Sequence, residues 1–267
     1  MSSGLNRDCI DKYYTSLTAV SKCIQLFKEH VHVYPDDIIV EPSAGSGAFL
    51  GVLSDMHPNV IAFDIQPEGE GILKRDFLTV DLSPDSRYHF VGNPPFGRQS
   101  SLAKKFIKRS CQYGQSVSFV LPKSFKKESF QKTFPLNFHL IVNEDLPPYS
   151  FELDGRPWDV PCVFQIWERR GCDREVAERV EPTYWRYVKK DEDPDLAFRR
   201  VGVYAGRMDR EIESKSIQSH YFLKLDIDVD EFMAKYESQD WFTGENTVGP
   251  RSISKTELNT VLESLQN

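Results

Sequence analysis

Short apolar runs rich in β-branched residues alternate with helix-length amphipathic stretches through the first two thirds of this chain, and that alternation is the pattern of parallel βαβ units. The runs Ile38–Glu41, Val60–Asp64, Tyr88–Gly92, Val117–Leu121 and Phe138–Val142 are expected strands. Between them, Thr18–His30, Ala48–Met56, Leu102–Tyr113 and Ser124–Thr133 read as helices. Phe151–Glu168 departs from the pattern. Two extended segments there flank Asp154-Gly155-Arg156-Pro157, a turn sequence, so an antiparallel pair at a sheet edge is expected. The fold class is α/β, a sheet closed by a hairpin.

At 267 residues the chain has room for about two domains of roughly 150 residues. With 40% hydrophobic and 27% charged residues, and only 15 Gly and 16 Pro, collagen-like, coiled-coil and wholly disordered readings drop out. After Arg170 the texture changes: charge-rich linkers, Gly171–Glu181 and Lys189–Asp195, separate aromatic strands at Ala197–Tyr204 and His220–Leu225. A last helix starts at Ser254, where Ser254 and Glu257 have capping-box spacing, and runs to about Leu265. Residues 1–170 are therefore read as one domain and 171–267 as a small α+β extension. No internal repeat or low-complexity tract occurs.

Five cysteines (Cys9, Cys23, Cys111, Cys162, Cys172) lie scattered, with no CxxC pair, which fits reduced thiols and no zinc site. The polar start MSSGLNRDCIDKYY is unlike a signal peptide, and no run approaches the ~20 apolar residues of a membrane span. A cytoplasmic or nuclear protein, monomeric or weakly dimeric, with no membrane and no metal, is expected.

Chemistry concentrates in three segments. Glu41-Pro42-Ser43-Ala44-Gly45-Ser46-Gly47-Ala48-Phe49-Leu50 follows a strand and opens a helix; its two glycines let the backbone turn tightly and approach a ligand at the helix N-terminus. The third glycine of the dinucleotide fingerprint is absent, since position 50 is Leu, so NAD falls behind. Asp64 ends the second strand in Ala62-Phe63-Asp64-Ile65, where a carboxylate can take the hydroxyls of a cofactor ribose. Asp76-Phe77, further on, pairs an acceptor with an aromatic face. Asn93-Pro94-Pro95-Phe96 then follows the strand Tyr88–Gly92. Its prolines fix the backbone, so the Asn93 amide oxygen and the Pro94 carbonyl can act as a rigid acceptor pair for an exocyclic NH₂, with Phe96 as a stacking face.

These motifs, EPSAGSGAFL, FDIQ, DF and NPPF in that order, resemble the S-adenosylmethionine-dependent amino-methyltransferases that modify nucleic acids, especially at adenine N6. Asp11-Lys12-Tyr13-Tyr14-Thr15 is similar to the N-terminal motif of members in which it precedes the cofactor site, and GNPPFGRQSSLAKKFI and AFRRVGVYAG are similar to small phage-type and large-DNA-virus methyltransferases. The motif resemblance covers about residues 11–168. It implies a Rossmann-like class I methyltransferase sheet, S-adenosylmethionine as cofactor, nucleic acid as partner with DNA favoured, and a viral protein at work in its host cell. It further implies that Glu41, Ala44, Gly45 and Gly47 hold the methionine part of the cofactor, with Tyr14 and Thr15 closing over it. Asp64 would serve the ribose, Asp76 and Phe77 the cofactor adenine, and Asn93, Pro94, Pro95 and Phe96 the target amine, with Ile65 and Asn93 also counted among the cofactor-binding residues. Where the family often has Thr-Pro, this chain has Thr15-Ser16. RNA adenine, cytosine N4 and a protein glutamine amide are alternative targets, and a silent scaffold that binds cofactor or nucleic acid is the non-enzymatic alternative.

Other signals read as structural. Pro161-Cys162 mimics the Pro-Cys of a cytosine-C5 mechanism but lies among core-like Val163, Phe164 and Ile166. Leu146-Pro147-Pro148-Tyr149 has no side-chain acceptor and reads as a rigid loop, and the six histidines show no metal spacing or paired nucleophile. The total charge of −7 argues at first against a phosphate-bearing partner. Its distribution reverses that. From Gly97 to Lys132 nine basic residues (Arg98, Lys104, Lys105, Lys108, Arg109, Lys123, Lys126, Lys127, Lys132) face one acid, Glu128, whereas residues 171–267 hold 14 basic and 20 acidic residues. Arg98, Lys104, Lys105, Lys123, Lys126 and Lys127 are the expected nucleic-acid contacts, and residues 171–267 are expected to help choose the target.

Overall fold

In the computed structural model, residues 13–153, 155–176, 180–238, 241 and 251–265 are described. Cys9, Asp11, Lys12 and Asp154, which figure in the sequence reading, lie outside them. The chain divides into two units, Met1–Glu175 and Val176–Asn267.

The elements of the first unit are β1 (Tyr14–Thr15), α1 (Leu17–His30), β2 (Ile38–Glu41), α2 (Ala48–Met56), β3 (Val60–Asp64), β4 (Ile72–Lys74), β5 (Tyr88–Gly92), α3 (Ser101–Tyr113), β6 (Gly114–Pro122), α4 (Glu128–Gln131), β7 (Phe138–Asp145), β8 (Phe151–Leu153), β9 (Arg156–Trp158) and β10 (Cys162–Arg169). Seven strands form one sheet in the order β4-β3-β2-β5-β6-β10-β7. All pairs are parallel except those of β10, which runs antiparallel to both β6 and β7. This is a class I Rossmann-like α/β sheet, and its order reverses between β2 and β5.

Alternation along the strands splits the core in two. Val40, Phe90, Phe119 and Trp167 face one cluster with Phe106 and Ile107 of α3. Ile39, Val91, Val120 and Ile166 face the other with Val20, Ile24 and Phe27 of α1 and Leu53 of α2. β2, β5, β6 and β10 thus bury both faces, as a helix-covered sheet requires.

Several expectations need correction. The segments flanking the 154–157 turn, β8 and β9, do pair with each other, but in a small separate sheet with β1, and neither is the partner of β10. Cys162 to Trp167 is buried throughout, so that strand needs neighbours on both edges and inserts between β6 and β7. Ser124–Thr133 is not one helix either. A 3₁₀ turn, Lys123–Lys126, is followed by extended Lys127 and the short α4. Phe125 and Phe130 are five residues apart, about 140° around a continuous helix; the break lets their rings meet at 5.1 Å.

The first unit also runs past Arg170. The Arg174 guanidinium donates to the carbonyls of Gln131, Phe134, Pro135 and Phe138 and lies over the Trp167 ring, which ties residues 171–175 to it.

The second unit is an antiparallel sheet of β11 (Trp185–Val188), β12 (Leu196–Arg199), β13 (Met208–Asp209) and β14 (His220–Leu225), in the order β11-β14-β12-β13, with α5 (Val229–Glu237) and α6 (Lys255–Ser264). Phe198, Leu223, Phe232, Leu258 and Leu262 centre its core. Ser254 caps α6 with both bonds of the capping box. β12 stops at Arg199, short of the expected Tyr204, because the chain turns back there to pair with β13.

Candidate active site

Loops at the carboxyl ends of β2, β3, β4 and β5 meet around a cavity of about 260 Å³, at the point where the strand order reverses. Ligands of open α/β sheets bind at such a point. The cavity is lined by the sequence-predicted Tyr14, Thr15, Glu41, Ala44, Gly45, Asp64, Ile65, Asp76, Phe77, Asn93, Pro94, Pro95 and Phe96. Gly47 does not line it.

Gly45 and Gly47 both have left-handed backbones, φ +54° and φ +88°, which explains the glycine spacing. Gly47 is the residue before α2 and shapes the loop from behind, with Ile72 next to its α-carbon. Asp64 fastens the loop: one carboxylate oxygen accepts the Gly45 N–H at 2.8 Å and the other the Gln66 N–H at 2.7 Å. Each oxygen keeps a lone pair for a further donor. Asp76 likewise accepts the Leu78 N–H through Oδ1 and caps the turn Phe77–Thr79. Phe77 is buried against Phe63, Phe90 and Phe106, so it offers the cavity part of a core ring and not a free face.

Two acceptors in this wall lack partners. Glu41 is 2% exposed, and its Oε2 is buried with no hydrogen bond. Burial pushes its carboxyl well above the usual carboxylate range; Asp64 acts in the same direction, and the Leu50 N–H opposes. The second acceptor is Asn93 Oδ1, also buried and unpartnered. The Asn93 amide orientation is set from the other side: Nδ2 donates to Thr15 Oγ1 at 3.1 Å and to the Tyr13 carbonyl at 3.4 Å. Ser43 Oγ donates to the Asn93 backbone carbonyl, so only the side-chain oxygen is left over. Unpaired buried acceptors cost about 1–3 kcal/mol each, which marks them as awaiting donors.

Residues 13–15 cross this region as a strap. Thr15 holds Asn93 at one end, and Tyr14 Oη donates to Glu68 Oε2 at 2.6 Å at the other. Glu68, Gln66, Ser43, Arg75, Leu102 and Phe106 also line the cavity and were not read from the sequence. Ser16 caps α1 through the Ala19 N–H.

The basic segment is less free than its charge suggests. Lys123 and Lys126 both pair with Asp145, at 3.7 and 2.8 Å, and Lys132 pairs with Glu128. Arg109 pairs with Asp81 and donates to the Val80 carbonyl, and Lys104 lies over the Phe130 ring. Lys127 is half-buried. Arg98, Lys105 and Lys108 are exposed.

Away from the cavity, at the amino ends of the same strands, a buried network joins Asp37, His89 and Ser116. His89 Nε2 donates to Asp37 Oδ2 at 2.9 Å, leaving Nδ1 to accept the Ser116 hydroxyl at 2.8 Å. Asp37 also accepts the Arg87 Nε–H and the Tyr34 N–H. His89 is separated from Asp37 by 52 positions and from Ser116 by 27, so no local spacing in the sequence pairs them. Burial lowers the His89 pKa, and Asp37 is held below its ordinary value by Tyr34, His89 and Arg87 against its own burial. Cys162 is buried, with burial pushing its thiol up, in keeping with a structural role. Among the described residues no helix is long and apolar enough to cross a membrane.

No family model matches the sequence, and no curated protein does. Among solved structures the chain is similar to the 23S rRNA methyltransferase ErmE, with 18% identity, 61% of this chain and 73% of that chain covered, and a TM-score of 0.45. A candidate RNA methyltransferase of Pyrococcus horikoshii gives 14% identity, 60% and 87% coverage and a TM-score of 0.48. The magnesium protoporphyrin IX methyltransferase of Synechocystis, with S-adenosylmethionine bound, gives 11%, 57% and 78%, and 0.41.

Proposed function

We propose that this chain is an S-adenosylmethionine-dependent methyltransferase acting on the exocyclic N6 amine of adenine in nucleic acid, with DNA as the favoured polymer. The observation that carries the reading is Asn93 Oδ1, a buried acceptor in the cavity wall with no partner of its own and an amide held in place by Thr15 and Tyr13.

The cavity residues suit the cofactor. The orphaned Glu41 carboxylate fits a primary ammonium, whose three donors and charge would offset the cost of burying it. Asp64 has spare lone pairs for the ribose hydroxyls, and Ile65, Leu78 and Phe77 give an apolar wall for an adenine ring. When bound, the cofactor supplies an electrophilic methyl group on a sulfonium. The chain's own part is positioning. Asn93 Oδ1 and the Pro94 carbonyl accept the two protons of the target NH₂ and direct its lone pair, and Phe96 packs against the base. No general base is needed, since the attacking nitrogen sheds its proton during or after transfer, and orientation supplies much of the acceleration. Residues 171–267 are proposed to help select the target.

The test is transfer from methyl-labelled cofactor to mixed DNA and RNA pools, followed by digestion to nucleosides. Label in N6-methyladenosine or its deoxy form is expected. Label only in N4-methylcytosine or in protein glutamine would overturn the target, and absence of transfer would overturn the enzyme.

A further inference from the structure

In the second unit, the turn between β12 and β13 carries a surface that the cavity chemistry does not use. Val203 and Tyr204 at its tip are 89% and 69% exposed, two adjacent large side chains standing in water. The tip is nonetheless well tied down. Arg199 N–H and Gly206 N–H exchange bonds with Arg207 and Arg199 carbonyls, Ala205 N–H bonds to Gly202 O, Arg207 N–H to Tyr204 O, and Gly202 N–H to Arg251 O. Tyr236 Oη also donates to the Gly206 carbonyl. A rigid tip loses little entropy when it is covered.

Its charge contrasts with its setting. Residues 176–267 hold 13 basic and 18 acidic residues, yet Arg199–Arg210 contains four arginines and one acid. That acid, Asp209, is taken by Lys215 at 2.6 Å, and Arg210 is taken by Asp230. Arg199 and Arg200 donate to the neutral carbonyls of Val201 and Gln218, Arg200 also lies over the Tyr221 ring, and Arg207 is exposed, so these three charges in the turn are not neutralised by a carboxylate. An exposed aromatic ring in a turn that carries three arginines suits a base flanked by phosphates.

We propose that the turn Arg199–Arg207 is a nucleic-acid contact, with Tyr204 stacking on an unpaired base and Arg199, Arg200 and Arg207 meeting the backbone phosphates. This rests on the nucleic-acid reading of the cavity and adds to it the surface that grips the polymer. Occupancy by a protein partner is the competing outcome.

Fluorescence anisotropy of a labelled single-stranded oligonucleotide, titrated with the full chain across a salt series, tests it, with methyl transfer measured in parallel. Tyr204→Ala should weaken binding about tenfold and Tyr204→Phe should restore it. Arg207→Ala should weaken binding and reduce the slope of log affinity against log salt by about 0.7. Both positions are exposed, so thermal unfolding midpoints should stay at the wild-type value. If wild type binds and methylates while Tyr204→Ala and Arg207→Ala keep affinities within about twofold, this surface is wrong and the cavity reading stands. If wild type neither binds nor methylates nucleic acid, the cavity reading fails first.

Discussion

β2 and β5 carry a buried polar cluster at each end, and the two clusters are built to opposite rules. At the amino ends, Asp37, His89, Ser116 and Arg87 satisfy one another, and Asp37 is held as a carboxylate. At the carboxyl ends, Glu41 and Asn93 each keep a buried acceptor unpaired, and Glu41 is pushed toward its neutral form. The same strands separate the two. A closed network holds the sheet together, whereas an open one stores a cost that a ligand can relieve.

Removing a member of the closed cluster should have the largest effect on folding. Asp37→Ala removes the buried acceptor of the His89 Nε2–H and the Tyr34 N–H and should cost about 1–3 kcal/mol in denaturant unfolding. The pH dependence has a definite sign. The folded pKa of His89 lies below its ordinary 6.5, and that of Asp37 below 3.8, so the unfolded chain binds more protons. Their stabilisation is present at neutral pH and is lost as pH falls, through His89 below about 6.5 and then through Asp37 below about 3.8. Wild type should therefore lose stability on acidification; Asp37→Asn should abolish the loss below about 3.8, and because Asp37 raises the His89 pKa against burial, it should deepen the loss that begins below about 6.5.

The open cluster should respond with the opposite sign. Glu41 has a raised folded pKa, so its ionised form costs stability as pH rises above 4.5. Glu41→Gln should then raise the unfolding midpoint at neutral pH while weakening cofactor binding by about tenfold, as read by calorimetry. A variant that lost both stability and affinity would erase the contrast.

Thr15→Val should give the smallest effect. It removes one acceptor for the Asn93 amide while keeping shape, and turnover should fall several-fold, for a bond of about 1 kcal/mol, with cofactor affinity little changed. Thr15→Ser should restore it. A fall in affinity without a fall in turnover would assign Thr15 to the cofactor instead.

Much of this site was legible in local sequence. The bounds of β2, β3 and β5 follow from their β-branched runs, and the left-handed Gly45 and Gly47 follow from the spacing of two glycines after a strand. What could not be read there is long-range. The pairing of Lys123 and Lys126 with Asp145 depends on β7 lying close to the Lys123–Lys126 turn, and it places one carboxylate against two of the nine basic residues of that segment. The Tyr14–Glu68 bond and the Asp37–His89–Ser116 network join segments 54, 52 and 27 residues apart. The turn signal at residues 154–157 belongs to the short β8–β9 hairpin, whereas β10 pairs with β6 and β7.

The most direct measurement compares wild type with Asn93→Ala for transfer of a labelled methyl group from S-adenosylmethionine to adenine in nucleic acid, with cofactor affinity measured alongside. Losing one preorganised hydrogen-bonding group should lower the transfer rate by about 10²–10³-fold, with cofactor dissociation constants within about threefold. Transfer by Asn93→Ala at the wild-type rate would contradict the assignment of that orphaned oxygen to the target amine.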